Sequence, residues 1–355
     1  MNESTGSGGL VRTIGTWGLA AGVFNLIIGS SIFVFPATIA AALGPPGILA
    51  YLVSAALMGL IALCFAEAGS RVTGAGGTYA YVETAFGPFA AWLVGLLIYL
   101  GIQLIASAVV ATVLVRSLSV LVPAIAEGVP RAIVLMLAFG VFSIINIRGG
   151  ARGGVKVVIG VTVAKVAPLL MLAVVGLFAF RPDYVRWGAI PPVADIGRMA
   201  MRLVYLFAGL ESALAVSGEM VNPRRTVPRG ILVGLAAATF LYLGVHFAAQ
   251  GLLGPALATS TQAPLADAAA VVLGDPGRTI LLLGTFISAL GFLSAAMLIA
   301  TRTLFAMGLA GRLPRGVAAV HPRYGSPAVA IVIHAVLSCA LAIVADFDTL
   351  TALAS

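Results

Sequence analysis

An all-α polytopic membrane bundle is the one architecture this chain fits, and three observations lead there. Hydrophobic residues make up 61% of its 355 residues and charged residues only 9%, with a mean hydropathy of +1.12. Soluble domains carry about 25% charge. Apolar runs of about 20 residues recur along the chain, each able to cross a hydrocarbon core of about 30 Å as helix. Short, strictly alternating segments of the barrel type are missing from the sequence, so the backbone must satisfy itself within helices.

Nine complete spans are expected, over residues 15–42, 46–68, 86–115, 131–148, 154–180, 198–218, 229–252, 277–309 and 326–345, with the start of a tenth near 348. The polar residues 1–14 form a tail rather than a cleavable signal, because the apolar segment behind them is too long for one. Turn residues punctuate the spans: "GPPG" after the first, "TGAGG" after the second, "RGGARGG" after the fourth, "NPRRTVPRG" after the sixth. Cys64 and Cys339 fall inside apolar spans and read as small packing residues. Trp17, Trp92 and Trp187 fall near span ends, as interface anchors do.

The net charge of +8 is distributed unevenly. With the N-terminus in the cytoplasm, the inside segments hold 12 basic residues: Arg12, Arg71, Arg148, Arg152, Lys156, Arg224, Arg225, Arg229, Arg302, Arg312, Arg315 and Arg323. The outside segments hold seven: Arg116, Arg131, Arg181, Arg186, Arg198, Arg202 and Arg278. Such asymmetry predicts a cytoplasmic N-terminus in a cell inner membrane, with the basic residues facing anionic lipid instead of nucleic acid.

Two spans are weakened at their centres. The first carries Asn25, Gly29, Ser30 and Ser31, and the sixth carries Ala208, Gly209, Glu211 and Ser212. Glycine costs about 1 kcal/mol in a helix against alanine. Broken backbone at mid-bilayer is tolerated only inside protein or along a wet cavity. Interrupted helices at matching positions of two halves, five spans apart, point to the substrate site of a secondary transporter. A break frees N–H groups at one half-helix start, which suit an anion, and carbonyls at the other end, which suit a cation. Both ends together fit a zwitterion, of which an α-amino acid is the obvious case.

The motifs at these breaks are specific. "IIGSSIFVFPATIA" resembles a first-helix pattern G-x-G-[IV]-F followed by Pro. "YLFAGLESALAVSGEMVNPRRTVPRG" resembles a sixth-helix pattern F-x-G-[FVL]-E with a later E-x-x-N-P-x-[RK]-x-[IVT]-P. "RTLFAMGLAGRLPRGVAAVHPRYGSP" resembles the loop after an eighth helix. Together they resemble the amino acid–polyamine–organocation (APC) superfamily, in its bacterial amino acid permease branch. The resemblance implies a five-plus-five inverted repeat, with discontinuous helices 1 and 6 and alternating access. Residues 15–180 would form the first repeat and residues 181–355 an incomplete second one, cut at the start of helix 10 as in a fragment of a longer chain. It further implies that a substrate carboxylate meets the backbone of Ile28, Gly29, Ser30 and Ser31, and an ammonium meets carbonyls around Phe207, Ala208 and Gly209. Tyr205 falls at an aromatic lid position and Glu211 at a proton-sensing position. Ser31 departs from the motif's second Gly, which narrows the site and favours a small or apolar substrate.

Lys165 is the other charge inside a span, nine residues past Lys156, or roughly 13–14 Å along a helix axis. Related proton-dependent transporters carry a lysine here whose ammonium takes the place of a sodium ion. Proton coupling through Lys165 and Glu211, as symport or exchange, is therefore expected. The plainer alternatives are a lysine held by carbonyls of the broken first helix and a Glu211 that bonds freed N–H groups. Asn25, Tyr99, Gln103, Ser107, Ser288 and Ser294 read as interhelical hydrogen-bonding residues, and His246 as a packed histidine. A polyamine or organic-cation permease, and a non-transporting amino acid sensor on the same fold, are the alternatives in function. An intramembrane hydrolase lacks a nucleophile elbow, and a channel lacks pore-lining charge rings. No metal or cofactor is expected. The expected partners are an amino acid, protons and the lipid bilayer.

Overall fold

The structure, a computed structural model, describes residues 12–33, 35–72, 77–119, 122–260 and 263–345; within these the side chains of residues 30, 31, 116, 117, 149–159 and 205 are not described. Eleven α-helices make up the described chain. The first span is split into α1 (Thr16–Ile27) and α2 (Phe35–Leu43), joined by a 3₁₀ turn at Ser30–Phe33. α3 (Ile48–Arg71) is followed by the short α4 (Thr78–Phe86). The third span is α5 (Pro88–Leu97), a π-helical stretch (Ile98–Leu104) and α6 (Ile105–Ser119). α7 runs Gly128–Val175, α8 Val193–Phe207, α9 Pro223–Leu253, α10 Pro264–Leu309 and α11 Ala328–Val344.

Several boundaries differ from expectation for physical reasons. "RGGARGG" is helical in α7, although two stretches, 128–148 and 160–178, are each long and apolar enough to cross a membrane. Its glycines weaken helix without forbidding it, and no proline lies among them. α10 is two helical segments meeting at Gly274, whose φ 63 and ψ −151 are not helical; the second opens at Pro276, beside the expected start at 277, and the first is a helix the spans did not include. The expected tenth span, from about 348, lies outside the described residues.

Burial separates an inner set of helices from an outer one. The most apolar stretches of α9 and α10 are 50% and 56% buried, against 17% for residues 128–148. Exposed apolar residues such as Leu60, Phe240 and Val336 cover the outside, where lipid would solvate them. α9 meets α1 through Gly230 and Gly234: a Cβ on either would fall within 2.7–2.9 Å of Leu19, Ala20 or Val23. This small-x-x-x-small spacing lets the two backbones approach closely and makes α9 the seat of the broken first helix.

Candidate functional site

Both central breaks are present, and each is built differently. At the first, Ile28 takes φ −82 and ψ 79, and the Gly29 N–H donates to Ile27 O at 2.9 Å. That is an inverse γ-turn centred on Ile28, which needs no glycine. The Ile28 N–H is also engaged, with Phe24 O. Two of the four expected donors are thus already used, and the backbone of Ser30 and Ser31 opens the 3₁₀ turn, where first N–H groups lack intrahelical acceptors. The Ser30 and Ser31 side chains lie outside the described set.

The second break depends on glycine. α8 ends at Phe207, Gly209 takes φ 106, and residues Ser212–Glu219 continue as a 3₁₀ helix of 8 residues. Only glycine adopts that φ without strain. Runs of 3₁₀ helix beyond 3–4 residues are uncommon and mark hinges. Ala208 is exposed, and Gly29, Gly209 and Glu211 are half-buried, so neither break is fully sealed in protein. Among the described residues no donor bonds the carbonyls of Phe207 or Ala208, whereas Gly209 O accepts from the Ser212 N–H. Glu211 sits over its own break: the Gly209 N–H donates to Oε2 at 3.1 Å and Ser212 Oγ to Oε1 at 3.4 Å. The carboxylate therefore does the job of the plainer alternative, satisfying freed backbone. The Tyr205 side chain is outside the described set.

Lys165 is fully buried, and its Nζ donates to Asn25 O at 2.8 Å and Ile28 O at 2.5 Å. Neither partner is a carboxylate. Ser288 Oγ lies 3.2 Å from Gly29 O and 3.4 Å from Ile28 O, and Asn25 Nδ2 donates to Gly291 O at 2.9 Å. The carbonyls of the first break are thus occupied by protein donors, the Lys165 amine among them. Asn25 also shows why α10 is glycine there, since a Cβ on Gly291 would lie 2.9 Å from Asn25 Oδ1.

Two features escaped the sequence reading. Tyr242 on α9 is fully buried with its hydroxyl 2.6 Å from Ile27 O and 3.1 Å from Leu206 O, the carbonyl ends of both first half-helices. It looked like one more aromatic in an apolar span, and only its helical phase against the two breaks could have drawn notice. Arg302, counted above as a topology signal, is instead wholly buried and paired with Glu219: Nε–Oε1 is 2.7 Å and Nη2–Oε2 3.4 Å. Beside it the chain entry closes on the end of the 3₁₀ helix, with the Thr13 and Ile14 N–H groups donating to Glu219 O and Val221 N–H to Ile14 O. Of the remaining polar residues read as interhelical, Gln103 Nε2 donates to Thr303 Oγ1 at 3.1 Å and Ser107 Oγ lies 3.2 Å from His334 Nε2. The Tyr99 and Ser294 hydroxyls, in contrast, are buried with no hydrogen-bond partner among the described residues, Tyr99 within an apolar cluster. His246 packs against Tyr51 with ring centroids 5.2 Å apart.

With the paired breaks in place, comparison with known families is decisive: a family model described as "Amino acid permease" matches residues 14–355. The chain belongs to the amino acid permease family. Among its relatives, the methylthioribose transporter of Bacillus subtilis (strain 168) is 26% identical over 92% of this chain and 74% of its own length. The branched-chain amino acid permease BcaP of Lactococcus lactis subsp. cremoris is 28% identical over 86% of this chain and 70% of its own. A substrate-bound, outward-open Na⁺-coupled sialic acid symporter superposes with a TM-score of 0.63 at 14% identity, over 96% of this chain and 75% of that one. At that identity the likeness concerns the fold. The permease is an integral membrane protein, and its broken first and sixth spans belong to the transporter fold it shares with that symporter.

Proposed function

We propose that this permease is a secondary active transporter that carries a small α-amino acid by alternating access, with proton-coupled symport or exchange. The carrying observation is the pairing of two central breaks with free backbone groups of opposite polarity. The opening N–H groups of Ser30 and Ser31 stand on one break and the unbonded carbonyls of Phe207 and Ala208 on the other. In this reading the carboxylate is held at the first break and the ammonium at the second, with Gly209 supplying the turn, Ile28 and Gly29 the wall and Tyr205 the lid. Lys165 is the proton carrier and Glu211 tunes the second break. Residues 15–180 and 181–355 act as inverted repeats, with the N-terminus cytoplasmic in the cell inner membrane. The branched-chain permease among the relatives supports an amino acid cargo, and Ser31 in place of glycine favours a compact one.

A second reading, a neutral polar solute, draws on the relative named a methylthioribose transporter. Uptake by proteoliposomes distinguishes them. Twenty amino acids, several polyamines and a thio-sugar are tested with an inward proton gradient and with preloaded amino acid. Accumulation of one or more amino acids under either condition is expected. Uptake of the thio-sugar or a polyamine with none of any amino acid overturns the proposal.

A further inference from the structure

We infer that the Tyr242 hydroxyl is a shared pin that caps the two first half-helices in turn, so that only one can be held at a time. The inference rests on the alternating-access reading above but not on the identity of the cargo.

The two half-helices come from opposite faces. The residues before α1 hydrogen-bond to Glu219 and Val221, at the far end of the segment that follows the second break. α1 and α8 are therefore antiparallel, and α8 starts at the opposite face. Their carbonyl ends converge at one point, where Tyr242 Oη stands 2.6 Å from Ile27 O and 3.1 Å from Leu206 O. Carbonyls in a last helical turn lack an i+4 donor and need one from elsewhere. Ile27 O also receives the Gly29 N–H, but Tyr242 is the one described donor to Leu206 O outside helical bonds.

A phenol has a single proton. Donated to Ile27 O, it leaves Leu206 O facing a bare hydroxyl oxygen, and donated to Leu206 O, it leaves Ile27 O so. Two acceptors in contact repel at either end, and Leu206 O, unlike Ile27 O with its Gly29 N–H, is then left with no described donor outside helical bonds, which is costly for a buried carbonyl. The proton therefore prefers one end with the other half-helix released, which is a two-state element biased from both sides. The shorter contact assigns it here to Ile27, so α1 is the half held. The ring cannot follow either helix. It is fully buried, edge-on to Phe207 at 5.3 Å and 71°, and 6.2 Å from Tyr51. α9 is in turn seated on α1 through Gly230 and Gly234. Tyr242 is thus a positioning residue that acts on both gates through backbone, without touching substrate.

Tyr242→Phe removes the hydroxyl and keeps the ring. Full-length protein, freed of Cys64 and Cys339 by alanine substitution, carries one reporter at a time: Val216→Cys on the Ile14 side or Ile39→Cys on the opposite side. A membrane-impermeant thiol reagent then reads each side in proteoliposomes, with no substrate required. With Tyr242 intact, conditions that raise labelling of one reporter lower the other. In Tyr242→Phe both label faster together, by about tenfold, which is an ordinary size for a lost coupling. The accumulation ratio of a transported amino acid falls by about tenfold while its Kd stays within about threefold. Reciprocal labelling retained in Tyr242→Phe, or accumulation equal to wild type, overturns the inference. Should the phenylalanine variant fold poorly, a ring-fluorinated tyrosine at 242 keeps the shape and strengthens the donor. It should slow turnover severalfold with Kd unchanged, and unaltered turnover would count against the pin. Wild-type protein that binds no amino acid refutes the proposed cargo, yet the thiol readings still decide the pin.

Discussion

Lys165 and Arg302 are both basic side chains buried in the bundle, and they are held in opposite ways. Lys165 bonds two backbone carbonyls of the first break, whereas Arg302 is clamped on the Glu219 carboxylate with Thr301 as an added partner at 3.0 Å. The difference decides what each can do. An amine that gives up its proton still has two N–H donors for two carbonyls, so Lys165 can change charge and leave its bonds in place. A guanidinium never gives up its proton in a protein, and a carboxylate left behind in the dry interior would be uncompensated. Lys165 can lose its charge without losing its bonds, and Arg302 cannot. The first lies buried behind the first break; the second fastens α10 to the end of the 3₁₀ helix beside the Ile14–Met220 closure.

The contrast breaks most visibly at Arg302. Glu219→Gln strands a buried charge, and removing one partner of such a pair costs about 3–5 kcal/mol. Thermal unfolding in detergent should register that as the largest loss among these variants. A Glu219→Gln protein as stable as wild type would mean that the pair is hydrated and no clamp at all. Lys165→Met removes the charge without stranding another. Stability is expected to change less than in Glu219→Gln, while uptake driven by a proton gradient drops by about tenfold, or about 1.4 kcal/mol, and its pH dependence flattens. Uptake by Lys165→Met that follows pH as wild type does would assign the lysine a purely structural role. Ser288→Ala deletes the neutral donor beside Lys165, and a single hydrogen bond of this kind is worth about 1 kcal/mol. Its mark should be a few-fold rise in KM with the pH profile unmoved. Arg71 and Glu67 form an ion pair with side chains 75% and 65% exposed. Arg71→Ala should leave uptake and melting temperature unchanged, because exposed pairs contribute little.

The sequence made the broken helices legible because weakening a span at mid-depth has few explanations in lipid. Gly209, Ala208 and Glu211 stand at the second break as read, and Asn25 bridges to α10 as an interhelical residue should. The details were less legible where they depend on dihedral angles rather than on residue type. The first break pivots on Ile28, a β-branched residue no composition rule would select, because an inverse γ-turn admits it. The 3₁₀ winding of Ser212–Glu219 was read as ordinary helix for the same reason. Tyr242 and the Arg302–Glu219 pair were missed because each joins residues far apart in the chain. Arg302 lies 83 residues from Glu219, and an arginine in a basic-rich chain reads first as a topology signal.

The central claim is that two interrupted helices grip both ends of a zwitterion with bare backbone. Calorimetric titration of the purified permease measures it most directly. One transported amino acid is compared with the amine lacking its carboxylate and with its N-acetyl derivative. The account predicts that the amino acid binds at least about tenfold more tightly than either, since each loses a charge-assisted set of hydrogen bonds worth about 1.5–3 kcal/mol. Equal affinity for all three would contradict it.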